Sequence, residues 1–144
     1  MNNKKQGFTL IELMVVIALI TLLASVILAS VRTAGAKGRD AARRENLSAV
    51  KLALELRFNE LNNYPTVGNE TTPWTDAGVS SALTAYLPGG TPKDPLDPTW
   101  HAPYYRSDGS VYSIKMEYEN GDICKTGGSG VDPAWFDGAE LCEK

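Results

Sequence analysis

Histidine and cysteine are scarce in this chain of 144 residues, which holds one histidine, His101, and two cysteines, Cys124 and Cys142. Two thiols are too few for a metal site built of cysteine alone, yet enough for one disulfide. A Ser-His-Asp triad would have to use His101, and the sequence has no nucleophile elbow. Walker and dinucleotide-binding glycine patterns are missing too. His101 reads as a solvated loop residue and the chain as a non-enzyme. The glycine and cysteine counts, 13 and 2, exclude collagen-like and disulfide-dense scaffolds, and the 43% hydrophobic content excludes a disordered chain. A length of 144 residues allows one compact domain and little more.

Charge is absent from one long stretch and sorted along the rest. The formal net charge is −3, but residues 1–7 carry +2, residues 8–31 carry −1, residues 32–44 carry +4 and residues 45–144 carry −8. From Leu13 to Val31 run 19 residues without a charge, a proline or a glycine. At about 1.5 Å per residue they span roughly 28 Å as a helix, close to the ~30 Å hydrocarbon core of a bilayer. A cleavable secretory signal competes with a membrane helix, with Lys4 and Lys5 as its basic start and Ala34-Gly35-Ala36 as its cleavage site. Two features oppose that reading. The apolar run is longer than the usual 7–15 residues of a signal, and Glu12 sets a carboxylate at its edge, which costs a few kcal/mol in lipid unless it is neutralised.

Gly7-Phe8-Thr9-Leu10-Ile11-Glu12, after a short basic leader, resembles the class III signal of type IV prepilins and their relatives. The resemblance implies cleavage after Gly7 by the prepilin peptidase and N-methylation of the new terminal Phe8 by the same peptidase/methyltransferase. It further implies that Glu12 supports methylation and subunit docking. The physical logic is that cleavage creates an ammonium at Phe8, one helical turn from Glu12. Each charge is costly in lipid, and a pair within a subunit or between neighbours neutralises both. The plain alternative is an anchor helix with an accidental glutamate. The positive-inside tally sets Lys4 and Lys5 against Arg32, Lys37, Arg39, Arg43 and Arg44 and would place the amino terminus outside. The resemblance requires it inside, and its motif is the more specific signal.

Helical periodicity continues beyond the apolar run through Ala41, Ala42, Leu47, Val50, Leu54, Phe58 and Leu61, with Pro65 as the stop. This predicts a leader over 1–7, a helix over 8–63 (8–31 in the membrane or the filament core) and a globular part over 64–144. Gly35 and Gly38 either let the helix bend or permit close helix contact. The basic patch from Arg32 to Arg44 has three readings: nucleic acid, lipid head groups, or the acidic remainder of neighbouring subunits. The charge split favours the last, and no motif or interleaved aromatic supports DNA.

In the globular part, Ser81 to Leu87 reads as a short helix. Tyr104-Tyr105-Arg106 leads through an Asp108-Gly109 turn into Val111–Glu119, where Tyr112, Ile114, Met116 and Tyr118 alternate with polar residues. That pattern is a hairpin with one face on the helix. Cys124 and Cys142 pair by default in an exported domain, and in pilins such a bridge bounds a C-terminal surface loop. Trp135 and Phe136 within it form either an exposed adhesive tip or filling beneath the loop. No cofactor is expected. Asp94, Asp97 and Asp108, with Asp122, are the carboxylates that could collect Ca²⁺, as in major pseudopilins, although their spacing matches no EF-hand. Asn46-Leu47-Ser48 and Asn69-Glu70-Thr71 fit the glycosylation tripeptide.

The expected fold is α+β and pilin-like, a long N-terminal helix packed on a small antiparallel sheet. The expected role is a non-enzymatic pilus subunit for adhesion, motility or DNA uptake. It would be anchored in the cytoplasmic membrane with its N-terminus inside, then assembled by inner-membrane machinery with itself and other pilins into a surface filament. The alternative is a pseudopilin of type II protein secretion.

Overall fold

The computed structural model describes residues 7–67, 72–96, 103–128, 135–136 and 139–142. It divides into two compact units, Met1–Lys37 and Gly38–Lys144. Helix α1, Leu10–Leu61, is 52 residues long and supplies both. It stops where Asn62 takes a left-handed backbone, φ 53°, and returns its N–H to the carbonyl of Phe58 at 2.8 Å. Asparagine tolerates that conformation, and the bond satisfies one of the orphan carbonyls of the last turn.

Among the described residues of the first unit the large apolar side chains are exposed. Leu10, Ile17, Leu22, Val26 and Val31 are between 55% and 76% exposed. The helix is long and apolar enough to cross a membrane by length and composition. Its polar residues are compatible with such a setting. Thr21 Oγ1 donates to the Ile17 carbonyl and Ser25 Oγ to that of Leu22, both at 2.7 Å, so neither hydroxyl needs water.

The second unit is the α+β domain. Strands β1 (Thr72–Pro73), β2 (Tyr104–Ser107), β3 (Tyr112–Glu117), β4 (Ile123–Gly127) and β5 (Glu140–Leu141) form one sheet in that order. The expected antiparallel pairing runs from β1 to β4. Strand β5 joins β4 in parallel, which makes the sheet mixed. The Cys124–Cys142 disulfide fastens the returning chain there.

The hairpin alternation appears as read. Tyr112, Ile114 and Met116 are buried with Leu47, Val50 and Leu54 of α1 in one core. Ser113 is buried as well, its hydroxyl donating to the Thr126 carbonyl at 3.3 Å. The buried helix face is shorter than the periodicity suggests, since Ala41 and Leu61 are exposed. Asp108 shapes the β2–β3 turn by accepting from Ser110 N, Ser110 Oγ and Val111 N, while Gly109 supplies φ 98°, a backbone that a Cβ would strain. The short helix corrects the sequence reading. It is α2, Ala77–Leu83, starting four residues before Ser81 because the Asp76 carboxylate accepts from Gly78 N and caps it.

Candidate processing and assembly site

The start of α1 is a capping box. Thr9 Oγ1 accepts from Glu12 N at 3.3 Å, and Glu12 Oε2 accepts from Thr9 N at 2.8 Å and from Thr9 Oγ1 at 2.6 Å. Two orphan donors of the first turn are thus satisfied reciprocally. Both bonds to the carboxylate fall on Oε2. Among the described residues nothing hydrogen-bonds Oε1, which leaves it to meet a cation.

The Thr9-x-x-Glu12 spacing is the sequence signature of this cap, and it gives Glu12 a structural role beside its charge. The cap holds that charge at the edge of the apolar run, so the two roles are compatible. Phe8, just before the cap, is 91% exposed. It is still joined to Gly7, so its nitrogen is a peptide amide and no ammonium exists to pair with Glu12. A Cβ built on Gly7 meets nothing within 4 Å, so the fold itself makes no demand for glycine at this position.

The basic patch serves mainly its own domain. Arg43 is 1% exposed and grips Asp94 with two bonds, Nε to Oδ2 at 2.6 Å and Nη2 to Oδ1 at 3.1 Å. Its remaining nitrogen donates to Asp40 at 2.8 Å, and Glu119 lies 3.0 Å from Nη2. Arg39 holds Glu119 from the other side at 2.9 and 3.2 Å. Arg44 lies over the Tyr118 ring, 5.1 Å from its centre, and donates to its hydroxyl.

Pairing with acids, the reading favoured by the charge split, is therefore present, but for Arg39 and Arg43 the acids belong to the same chain. A buried guanidinium needs all its donors met, and a fork of two parallel bonds does so most effectively. The hydrogen bonds with Asp94 are the main reason Arg43 is pushed above its usual range. Arg32 and Lys37 are exposed.

The carboxylates considered for Ca²⁺ hold protein donors. Asp94 takes Arg43 and the Leu96 amide, and Asp108 takes its own turn. The Asp122 carboxylate accepts from the side-chain amide of Asn120 in the β3–β4 turn, and Asp97 lies outside the described residues. Among the described residues no group of three or more His, Cys, Asp or Glu is placed to hold a metal ion.

Cys124 and Cys142 are bonded as expected. Trp135 is 8% exposed beneath the Arg106 guanidinium and Phe136 sits by the Lys115 ammonium, so these aromatics fill space and do not form an exposed tip. Asn46 lies within α1 and donates to the Lys93 carbonyl at 3.4 Å, an unsuitable setting for a glycan acceptor. His101 and Asn69 to Thr71 lie outside the described residues.

Comparison with known proteins agrees with the N-terminal geometry. Residues 2–28 match the family model for the prokaryotic N-terminal methylation motif. The type IV major pilin protein PilA of Myxococcus xanthus (strain DK1622) is 35% identical over 69 residues, 48% of this chain and 31% of that pilin. The match therefore spans about a third of the relative's length. No solved structure gives a significant match.

A long apolar N-terminal helix continuing into a small mixed sheet is an α+β, pilin-like architecture. The chain is thus similar to a type IV major pilin over about half of its length and carries the N-terminal methylation motif at its start.

Proposed function

We propose that this chain is the precursor of a type IV pilus subunit, cut after Gly7, methylated on Phe8 and polymerised through α1. The observation that carries the proposal is the first unit of α1. A capping box holds one carboxylate at its start, and none of the apolar window that follows is buried within the chain. Such a surface is stable in lipid or against other copies of itself, and the two environments correspond to the subunit before and after assembly. Gly7 and Phe8 are exposed, which leaves the bond between them open to a peptidase.

Before assembly the subunit sits in the cytoplasmic membrane with its amino terminus inside. Three of the five cations that oppose this orientation, Arg39, Arg43 and Arg44, have structural roles in the folded domain. The assembly machinery then carries it into a surface filament with other pilins. The resemblance to a major pilin supports a pilin subunit, and a secretion pseudopilin is the alternative.

Fractionation of the native cells tests this directly. Shearing is expected to release the protein in filaments, with a smaller pool left in the membrane. Confinement to the membrane fraction, together with loss of protein export on deletion, would identify a pseudopilin instead.

A further inference from the structure

Cys142 and Cys124 are unequal partners in their disulfide. Cys124, in β4, is 5% exposed, whereas Cys142 opens onto a groove of about 340 Å³ lined by Arg44, Tyr118, Asp122, Glu140 and both cysteines. A second recess of about 200 Å³ shares Arg44, Tyr118 and Cys142 and adds Lys51.

The buried sulfur has company. Tyr118 Oη lies 3.5 Å from Cys124 Sγ and, since a disulfide sulfur carries no hydrogen, the hydroxyl is the donor. The same hydroxyl accepts from Arg44 Nε at 3.4 Å, and the guanidinium stacks on its ring. The result is a directed chain from Arg44 Nε–H to Tyr118 Oη–H to Cys124 Sγ. Each member polarises the next toward the sulfur.

We propose that this groove is a thiol-exchange site in which a small neutral aliphatic thiol attacks Cys142 and Cys124 is the leaving group. In the forward step the thiolate of the incoming molecule forms a bond to Cys142 Sγ. The Cys124–Cys142 bond breaks, and its electron pair leaves on Cys124 as a thiolate. A second equivalent of thiol attacks the mixed disulfide, releases the oxidised small disulfide and leaves both cysteines reduced. A disulfide yields faster when the departing thiolate is stabilised, which is what the Tyr118 hydroxyl does at Cys124. Arg44 and Lys51 attract the incoming thiolate. Asp122 and Glu140 disfavour a thiol that carries carboxylates of its own.

The consequence is local. Strand β5 pairs with β4 over only Glu140 and Leu141, and Cys142 N donates to the Lys125 carbonyl. Opening the disulfide removes the covalent tie between these two strands. The pair is thus a chemically addressable clasp on the last strand.

The test treats the full chain in detergent micelles with 2-mercaptoethanol, quenches with iodoacetamide and maps the adducts by mass spectrometry. The mixed disulfide is expected on Cys142, with carbamidomethyl on Cys124. Tyr118→Phe is expected to slow the first step severalfold, because the departing Cys124 thiolate loses the hydroxyl that donates to it. Arg44→Gln is expected to slow it in the same direction. A purely structural Tyr118 would give the opposite sign, because loosening β5 exposes the disulfide and speeds its reduction. Adducts on Cys124, or a Tyr118→Phe variant that reacts as fast as the parent or faster, would overturn the proposal.

Discussion

Arg43→Ala is expected to destabilise the globular unit by about 3–5 kcal/mol, the usual cost of removing one partner from a buried ion pair. Asp94 would remain with its side chain fully buried, opposite a cavity in place of a fork of donors. Asp40 and Glu119 would also lose a shared cation. The loss is in desolvation and not in net attraction, so a double variant separates the two. Arg43→Met with Asp94→Leu replaces the pair by apolar side chains and should recover most of the stability, since such swaps are often neutral. Urea unfolding of the full chain in detergent, followed by the fluorescence of the buried Trp74, measures both. Similar stability of Arg43→Ala and the parent would show that the pair is not the clamp described here.

The same cluster sets an acid limit. Glu119 is held below its ordinary value of 4.5, chiefly by its hydrogen bond from Arg39 and further by Arg43. A depressed carboxylate contributes stability that is fully present above its unfolded value. That contribution is lost as the pH falls through the lower folded value. Unfolding midpoints should therefore be flat toward neutrality and decline below about pH 4.5, and Glu119→Gln should flatten the decline.

Glu12→Ala is expected to abolish filaments while leaving processing largely intact, so that the cleaved subunit stays in the membrane. In the proposed assembly the Glu12 carboxylate meets the ammonium of Phe8, on the same subunit or its neighbour, in apolar surroundings. An uncompensated charge there costs about 3–5 kcal/mol, more than a hundredfold in each docking equilibrium. Alanine also removes the cap that Glu12 forms with Thr9, so a second variant is needed. Glu12→Gln keeps an acceptor for the Thr9 amide and loses the charge, as glutamine serves equally in a capping box. If the charge matters, Gln fails as completely as Ala in counts of sheared filaments. Normal filaments from Glu12→Gln would reduce Glu12 to a helix cap.

What could be read in the sequence divides along physical lines. Local codes were legible. The uncharged run to Val31 announced a helix with no partner in its own chain, and Tyr112, Ile114 and Met116 announced a strand with one buried face. The Asp108-Gly109 turn followed from residues that favour its backbone.

Features that depend on distant pairing were not legible. Arg43 and Asp94 are 51 positions apart, and nothing in either neighbourhood says that a cation in a basic patch will be buried. The parallel pairing of β5 depends on a disulfide that brings two distant segments together, and two residues are too few to show a period. The displaced α2 is a different case. Asp76 is a readable cap, and its bond from Gly78 N, more than the apolar character of Ser81–Leu87, decides where the helix begins. The capping box at Thr9 is a local code of the same kind, in which Glu12 is an acceptor as well as a charge.

The most direct test of the central proposal is the mass of the N-terminal peptide of the mature protein, isolated from its native cells. The account predicts a chain beginning at Phe8, one methyl group heavier than the unmodified residue and without the seven-residue leader. A chain that keeps Met1, or one cut near Ala36, would contradict it, because the apolar first unit of α1 would then be either an uncleaved anchor or a discarded signal.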